Sequence, residues 1–350
     1  EKIKSCLWIG DPGSSGINAL GKILTGEVNP SGRLVDTYPR DFKKDPTWFN
    51  FGNNLTKNGN NYLKSDGSAS SYYFVEYREG IYFGYRYYET AAVENNAEWY
   101  KQNVVYPFGY GLSYSNFSFE VSESNNATLT SDGKLEFNVT ITNNGNFDGK
   151  DVIQLYYSAP YKAGEIEKSA VNLGDFVKTN VLSKNGGSQT IKLSLDVRDM
   201  ASYDYNDANN NGFKGYELDE GEYTIYIGTD AHCIYNGNTK KYTYTVPAGG
   251  FKYQTDETTG TTITNLFDDV STHISEYLSR NNKFANFESL KGAFDVANRT
   301  VDNEFINSLK YSINDSETDP WYSSKKPVQS KYSKRRDQNE VKLYDLIGKD

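Results

Sequence analysis

The sequence predicts an α+β protein of several domains that ends in a partly helical linker, and three observations support this prediction. Residues 1–45 combine a short apolar segment, a glycine-rich turn and a helical pattern, as at the end of an α/β unit. Over residues 117–247, short alternating segments separated by turns are typical of an antiparallel β-sandwich. After Gly250 the chain becomes rich in threonine, and only two stretches keep the spacing of a helix.

The first region begins with a predicted strand over residues 4–9 and a predicted helix over residues 17–25. The apolar residues of the helix fall on one face, and Gly26 is placed to end it. The loop between them, residues 10–16, contains three glycines. Their spacing matches neither of the usual phosphate-binding patterns, so a tight turn is favoured over a phosphate site.

Two stretches without regular periodicity follow. Residues 29–32, Asn-Pro-Ser-Gly, predict a turn, because proline fixes φ and glycine permits a positive φ. Residues 46–74 are rich in asparagine, glycine and serine, and they predict a long surface loop.

Aromatic and charged residues are interleaved in two nearby stretches. Residues 75–90, here called the aromatic segment, read VEYREGIYFGYRYYET, and residues 106–117, here called the aromatic turn, read YPFGYGLSYSNF. Tyrosine favours strands, so one interpretation is a half-buried strand. The other is a wall that faces a ligand, because tyrosine combines an apolar ring with a hydrogen-bonding tip.

The next region accounts for the predicted sandwich. Seven strands within about 130 residues fit one such domain. They are predicted at residues 117–121, 134–143, 150–158, 170–177, 189–195, 221–228 and 240–246. Beyond them, helical spacing predicts helices at residues 265–278 and 303–312, followed by a solvated basic stretch at 323–336.

The aromatic segment and the aromatic turn resemble the paired signature near the end of the second catalytic domain of glycoside hydrolase family 3, the β-glucosidase and β-xylosidase family. Residues 26–39, GEVNPSGRLVDTYP, resemble the stretch where that family's α/β-sandwich domain leaves its last helix. Residues 137–157, FNVTITNNGNFDGKDVIQLYY, and residues 221–231, GEYTIYIGTDA, resemble its fibronectin type III-like domain.

This resemblance implies an α+β multidomain fragment with three parts. Residues 1–115 would be the C-terminal part of the α/β-sandwich domain with the aromatic rim segment. Residues 116–249 would be the fibronectin type III-like antiparallel β-sandwich. Residues 250–350 would be a partly helical linker that leads to a missing barrel domain, as in the permuted branch of the family, and residues 341–350 resemble the lead-in to that barrel. The abrupt start at Glu1 and end at Asp350 also favour a piece of a longer polypeptide.

The implied function is that of the non-catalytic portion of a retaining exo-acting β-glycosidase, which hydrolyses terminal β-glycosides. Its partners would be a β-linked oligosaccharide or glycoside and the barrel domain of the same chain. Retaining hydrolysis needs two carboxyl groups about 5–5.5 Å apart. In the family the nucleophile is an aspartate of the barrel, and the acid/base of the glucosidase branch is a glutamate upstream of the Trp8 region. No catalytic residue is therefore expected here, and the isolated chain is expected to be inactive.

The resemblance implies four substrate-binding residues: Trp8, which occupies the place of a family tryptophan, and Glu79, Arg86 and Tyr87, which would brace the rim of the active site. Glu79 and Glu89 could also be interpreted as a catalytic pair. Glutamates between arginine and tyrosine more often form ion pairs, and this structural interpretation is favoured.

The alternative function is a carbohydrate-binding or cell-surface adhesion module without hydrolase activity, which a tyrosine-rich sandwich also allows. A net charge of -9 argues against nucleic acid or an anionic membrane as partner. No apolar run approaches the ~20 residues of a membrane span. A homo-oligomer is compatible with the sequence, and a cytoplasmic location is favoured over secretion.

No cofactor and no metal cluster are predicted, because two cysteines and two histidines show no metal-binding spacing. Residues 207–212, DANNNG, imitate the first half of a calcium-binding loop, but Leu218 stands where such a loop needs a glutamate. A hairpin loop rich in asparagine and glycine is favoured over a calcium site.

Overall fold

A computed structural model describes residues 5–48, 61–122, 129–235, 239–256, 258–265, 276–290 and 300–308. The chain divides into two compact units, one of residues 1–56 and 75–293 and the other of residues 57–74 and 294–350. The strands are β1 (Tyr38–Pro39), β2 (Asn61–Leu63), β3 (Ala69–Tyr73), β4 (Val104–Tyr106), β5 (Phe117–Val121), β6 (Lys134–Asn143), β7 (Val152–Ser158), β8 (Asn172–Lys178), β9 (Ser188–Asp196), β10 (Ser202–Asp204), β11 (Gly215–Leu218), β12 (Gly221–Gly228), β13 (Lys240–Val246) and β14 (Phe251–Tyr253). The helices are α1 (Gly13–Gly16), α2 (Asn18–Leu24), α3 (Tyr85–Glu94), α4 (Ala97–Asn103), α5 (Phe287–Leu290) and α6 (Asn303–Ser308).

The start of the first unit matches the sequence prediction in part. The first predicted helix is confirmed as α2, one residue shorter at each end. The predicted strand is wrong for its described part, because residues 5–9 form no strand. A strand needs partners for its backbone N–H and C=O groups, and no strand within the described ranges pairs with this stretch. Farther on, β1 pairs antiparallel with β4, which places Tyr38 opposite Tyr106.

A two-sheet sandwich forms the largest part of the first unit, so the predicted antiparallel sandwich and the α+β fold class are confirmed. All seven predicted strands are present, with bounds within two residues of the prediction. One sheet has the order β13-β12-β7-β8 and the other has the order β5-β6-β9. A smaller sheet, β10-β11-β14, follows the same antiparallel pattern.

The core of the sandwich lies between its two larger sheets. Alternate residues of β6 point inward, and Leu135, Phe137, Val139 and Ile141 are fully buried. They pack in one cluster with residues of β7, β9, β12 and β13. Each such side chain contributes about 1.5–3 kcal/mol to stability through removal from water. The apolar positions of the alternating sequence pattern are therefore the residues that form this core.

Strand β7 departs from simple alternation, because its residues from Val152 to Tyr157 are buried on both faces. Its inner face belongs to the sandwich core. On the outer face, Tyr156 packs with Tyr85 of the aromatic segment and Phe108 of the aromatic turn. The outer face of β7 is therefore where the sandwich meets the chain that precedes it.

Helix α3 occupies much of the aromatic segment, so the strand interpretation is wrong for residues 85–90. Gly84 precedes the helix with a φ of 52°, which L residues rarely adopt, and it breaks any extended chain there. Six consecutive helical residues, 87–92, are buried, so the helix is packed on most of its circumference. This tertiary packing outweighs the preference of tyrosine for strands.

The region after the sandwich is only partly helical. Of the helix predicted at 265–278, residues 266–275 lie outside the described residues, and Asn265 and residues 276–278 are not helical. The described part is a compact stretch at 276–290 that ends in α5. The basic stretch and residues 341–350 lie outside the described residues. No helix within the described ranges is long and apolar enough to cross a bilayer.

The second unit contains a hairpin where the sequence predicts a loop. Strands β2 and β3 pair with Asn61 opposite Tyr73, and Gly67 with a φ of 79° lies in the turn between them. Leu63 also forms a parallel bridge with Thr300, just before α6. Helix α6 confirms the described part of the helix predicted at 303–312, of which residues 309–312 lie outside the described residues.

Candidate functional site

The aromatic segment and the aromatic turn meet at Tyr156 on the outer face of β7, and we call this region the junction. The Tyr85 ring lies 4.8 Å from the Phe108 ring and 6.2 Å from the Tyr156 ring. The Tyr85 hydroxyl accepts a hydrogen bond of 3.0 Å from the backbone N–H of Leu173 in β8. Aromatic packing and a satisfied hydroxyl thus fix the start of α3 on the sandwich.

The aromatic turn approaches β7 closely through Gly109. Its φ is 84°, and a Cβ atom at this position would lie 2.4 Å from Oε1 of Gln154. Gln154 is itself buried and donates to the backbone carbonyl of Thr229 at 2.7 Å. Glycine is therefore required here both for the backbone conformation and for the close approach.

A buried carboxylate lies one helical turn after Tyr85 on α3. Glu89 of α3 is fully buried, and its Oε1 accepts a hydrogen bond of 2.6 Å from the Tyr100 hydroxyl. Its Oε2 lies 2.8 Å from Nδ1 of His232, a residue that follows β12 in the sandwich. The Tyr100 and His232 rings stack with centroids 3.7 Å apart. An ionised Glu89 only accepts hydrogen bonds, so Nδ1 of His232 carries the proton in that state.

Burial dominates the electrostatics of this cluster. It raises the pKa of Glu89 above its ordinary value, while the contacts with His232 and Tyr100 oppose that rise. Burial also raises the pKa of Asp230, which faces the same cluster. It raises the pKa of the neighbouring Cys233 thiol to about 12, which keeps this thiol protonated and unreactive at neutral pH.

A second ion pair ties residues 26–39 to the sandwich. Arg33 donates from Nη1 to the backbone carbonyl of Gly111 at 2.6 Å, and its Nη2 pairs with the buried carboxylate of Asp151. The backbone carbonyl of Ser31 accepts a hydrogen bond of 2.9 Å from Lys178 of β8. The turn predicted at residues 29–32 is wrong, because these residues form no turn; the chain turns at residues 25–28 instead. Residues 29–32 are irregular, and these contacts hold them against the sandwich and the aromatic turn.

Three of the four predicted substrate-binding residues lie on one segment. Glu79 is buried, with 4% of its surface exposed. The Arg86 guanidinium lies 5.8 Å from the centroid of the Phe83 ring. Tyr87 is 5% exposed and packs against the rings of Phe284 and Phe287. A direct sugar contact by Tyr87 would therefore require these two rings to move.

The fourth predicted residue, Trp8, lies beside β1 instead. It is 68% exposed and begins a row of four aromatic side chains, here called the aromatic row. Ring centroids are separated by 6.4 Å from Trp8 to Tyr38, 6.5 Å from Tyr38 to Tyr106, and 4.8 Å from Tyr106 to Tyr110. The pairing of β1 with β4 brings the two middle rings together. Exposed aromatic faces can stack on the C–H surfaces of a sugar ring.

The sequence did not identify the partners of the buried acids. Glu89 and His232 are 143 residues apart, and no local pattern links them. One feature of the sequence does point to a buried acid. Glu89 is the one charged residue in a run of tyrosine, threonine and alanine residues that are otherwise suited to burial. A charge at such a position implies a distant partner, although it does not name that partner.

The described residues contain no group of three or more histidine, cysteine or acidic side chains arranged to hold a metal. In the calcium-like loop, the Asp207 carboxylate accepts from the backbone N–H groups of Asn211 and Gly212. The Asn211 Oδ1 accepts from the N–H of Phe213 at 2.9 Å. The side-chain oxygens of Asp207 and Asn211 thus accept hydrogen bonds within the loop.

Comparisons with known proteins identify two domains in the chain. Residues 1–85 match the glycosyl hydrolase family 3 C-terminal domain, and residues 151–231 match the fibronectin type III-like domain. Beta-glucosidase A of Butyrivibrio fibrisolvens is 36% identical over 240 residues, which cover 65% of this chain and 26% of that protein. Beta-glucosidase B of Emericella nidulans is 32% identical over 234 residues, which cover 67% of this chain and 24% of that protein.

A solved structure supports the same relationship. The crystal structure of a beta-glucosidase from Paenibacillus barengoltzii is similar to this chain with a TM-score of 0.50 and 36% identity. The similarity covers 68% of this chain and 22% of that one. The chain therefore spans about a quarter of the length of the relatives that it matches.

Proposed function

This chain belongs to glycosyl hydrolase family 3, and we propose that it forms the non-catalytic portion of a retaining exo-acting β-glycosidase that cleaves terminal β-glycosides. The observation that carries the proposal is the pairing of the family's C-terminal domain with a fibronectin type III-like domain in one chain. The names of the relatives, beta-glucosidases, suggest β-glucosides as substrates.

The acids of the aromatic segment support a structural rather than a catalytic role. A retaining enzyme needs a nucleophile and an acid/base about 5–5.5 Å apart, both of which reach the sugar. Glu79 and Glu89 are 4% and 0% exposed, and Glu89 is engaged by Tyr100 and His232. We place the two reactive carboxyl groups in a barrel domain and in the rest of the α/β-sandwich domain of a longer polypeptide.

Within this proposal, Trp8 contacts the substrate, and Glu79, Arg86 and Tyr87 brace the rim of its site. The exposure of Trp8 fits a residue that meets another surface or a ligand. The burial of Glu79 and Tyr87 fits residues that hold a wall in place.

The test of the proposal is hydrolysis of an aryl β-glucoside by the purified 350-residue chain. We expect release of the aryl group at no more than the rate without protein. In a longer polypeptide that is active, Arg86→Ala should lower kcat/KM about tenfold, as expected when a single polar contact is lost. Turnover by the 350-residue chain, or loss of chemistry with unchanged substrate binding in a Glu79→Gln variant, would contradict the proposal.

The aromatic row favours a second function, a carbohydrate-binding module without hydrolase activity. Two of its four rings are exposed, Trp8 at 68% and Tyr106 at 40%, and Tyr38 and Tyr110 are half-buried. If this function is correct, the isolated chain should bind a soluble β-glucan in a titration, and Trp8→Ala should weaken the binding at least tenfold. Phe176→Ala is the matched control, because Phe176 is 61% exposed on β8 and outside the row.

A further inference from the structure

Residues 276–290, which follow the sandwich in the sequence, dock onto both the aromatic segment and the sandwich. We call them the clasp. The backbone N–H of Leu278 donates to the carbonyl of Arg78 at 2.7 Å. The ring of Tyr277 lies close to Gly80, 3.6 Å from where a Cβ atom would stand. The clasp therefore runs beside the first half of the aromatic segment.

One carboxylate of the sandwich collects three donors from these elements. Glu167 lies in the loop between β7 and β8, and it accepts hydrogen bonds from the Tyr82 hydroxyl and the Ser279 hydroxyl. It also accepts one of 3.0 Å from the backbone N–H of Arg280. Tyr82 is fully buried, and its hydroxyl has one other acceptor among the described contacts, the Lys168 carbonyl at 3.4 Å, so Glu167 is its closer partner. Glu167 thus joins the aromatic segment, the clasp and the sandwich at one point.

Arg280 extends the same connection. Its Nε donates to Glu94, at the end of α3, at 2.7 Å, and its Nη1 donates to the carbonyl of Lys168 at 3.0 Å. Its guanidinium lies 4.1 Å from the centroid of the Tyr161 ring. Arg280 is 9% exposed, so these partners hold its charge away from water. A buried arginine with this set of partners is not expected of a solvated connector.

Apolar packing completes the contact. Phe284 lies with its ring 4.9 Å from that of Tyr82 and 5.3 Å from that of Tyr87. Phe287 stacks on Tyr87 at 6.0 Å, and Leu278 and Leu290 belong to the same buried cluster. Without residues 276–290, the aromatic segment would expose these tyrosine rings to water.

We propose that the clasp is a positioning element that fixes the aromatic segment on the sandwich, and that Glu167 is the residue through which it does so. The sequence predicts this region to be a linker, and the proposal gives its described part a specific interaction surface. It does not depend on sugar binding or hydrolysis. The contacts of the clasp would stabilise a single conformation of residues 76–88, several of which have buried charged or hydroxyl groups that need partners.

Hydrogen–deuterium exchange of the whole 350-residue chain tests the proposal. In Glu167→Gln, one acceptor oxygen is replaced by an amide NH₂ group. This group is itself a donor and cannot accept a hydrogen bond from Tyr82, Ser279 or Arg280. Backbone amides of residues 276–290 and 78–88 should then exchange about tenfold faster, the effect of losing roughly one charged hydrogen bond. Exchange in strand β6 should be unchanged. The matched control is Glu165→Gln, because Glu165 pairs only with the exposed Lys162 among the contacts found in the described residues.

Ser279→Ala is the milder second variant, because it removes one hydroxyl from the clasp and leaves Glu167 in place. If Glu167→Gln also accelerates exchange in β6, and so unfolds the chain, Ser279→Ala decides the question: faster exchange in 276–290 and 78–88 supports the proposal. The proposal is overturned if residues 276–290 exchange at the rate of an unfolded chain in the unmodified protein. It is equally overturned if neither variant changes exchange in the aromatic segment.

Discussion

Nδ1 of His232 lies 2.8 Å from Oε2 of Glu89, and this contact joins the sandwich to helix α3. Glu89 is fully buried, and 20% of the His232 side chain is exposed. The pair lies between the fibronectin type III-like domain and the chain that precedes it. The aromatic segment thus provides a contact that holds helix α3 on the sandwich.

Removal of His232 should destabilise the chain strongly. His232→Ala leaves the Glu89 carboxylate buried with only the Tyr100 hydroxyl as a close partner among the described contacts, and breaking a buried pair in this way costs about 3 kcal/mol. Urea denaturation followed by circular dichroism measures the loss. Lys192→Ala is the control, since the Lys192–Glu136 pair is largely exposed and should contribute less than about 1 kcal/mol. Equal effects of the two substitutions would show that Glu89 does not depend on His232.

The buried acid also predicts a pH dependence. Burial raises the pKa of Glu89 above 4.5, so between the unfolded and folded pKa values the folded state binds more protons than the unfolded state. The stability contributed by this group is therefore present at acid pH and is lost as the pH rises through the folded pKa. The Tm of the unmodified chain relative to that of Glu89→Gln should fall as the pH rises above 4.5, by about 2–4 °C for each kcal/mol lost. A difference in Tm that is constant over this range would contradict the assignment.

Gly109 should not tolerate a side chain. In Gly109→Ala the new methyl group would overlap the amide of Gln154, which is itself held by buried hydrogen bonds, and the positive φ adds strain. We expect a loss of roughly 2–4 kcal/mol in the free energy of unfolding, above the 1–3 kcal/mol of backbone strain alone.

Gly133→Ala is the matched control for this prediction. Gly133 has a similar φ of 81°, but nothing lies within 4 Å of its Cβ position. The Gly133→Ala variant therefore measures the backbone strain of a positive φ without a steric overlap. If both alanine variants have the same denaturation midpoint, the close approach of Gly109 to β7 is not important for stability.

Calcium should not stabilise the loop at residues 207–212. The oxygens of Asp207, Asn209 and Asn211 accept hydrogen bonds from the loop's own backbone, and Glu217 accepts from the side-chain amides of both asparagines. Thermal unfolding in excess calcium and in excess chelator should give the same Tm. A ligand that binds only the folded state would raise the Tm in proportion to its occupancy. An increase in Tm with calcium would therefore contradict this prediction.

The sandwich was predictable because the residues that define each of its strands are neighbours in the sequence. In β6 each buried residue is followed by one that is more exposed, and that period of two is visible in the sequence. Helix α3 was not predictable from the same kind of pattern, because burial over most of its circumference removes the period of a surface helix. The hairpin β2–β3 was missed because its sequence, rich in polar residues, resembles a loop.

The candidate site was predictable only as a set of unusual residues. Glu79, Arg86 and Tyr87 were singled out because charge lies among aromatic rings. Their surroundings depend on residues far away in sequence, such as Phe284, which covers Tyr87. Ser279 is 112 residues from Glu167. Contacts of this range leave no periodic trace, so no reading of one short stretch could supply them.

The pairing of β1 with β4 has a practical consequence for engineering. The hairpin β2–β3 lies in the stretch of chain that connects β1, which ends at Pro39, with β4, which begins at Val104. The pairing of β1 with β4 holds the two ends of this stretch together. The entropy of closing such a loop rises slowly, by about 0.6 kcal/mol for each doubling of its length. An epitope tag or a fluorophore placed at Ser65, an exposed residue of the hairpin turn, should therefore be carried without loss of the fold.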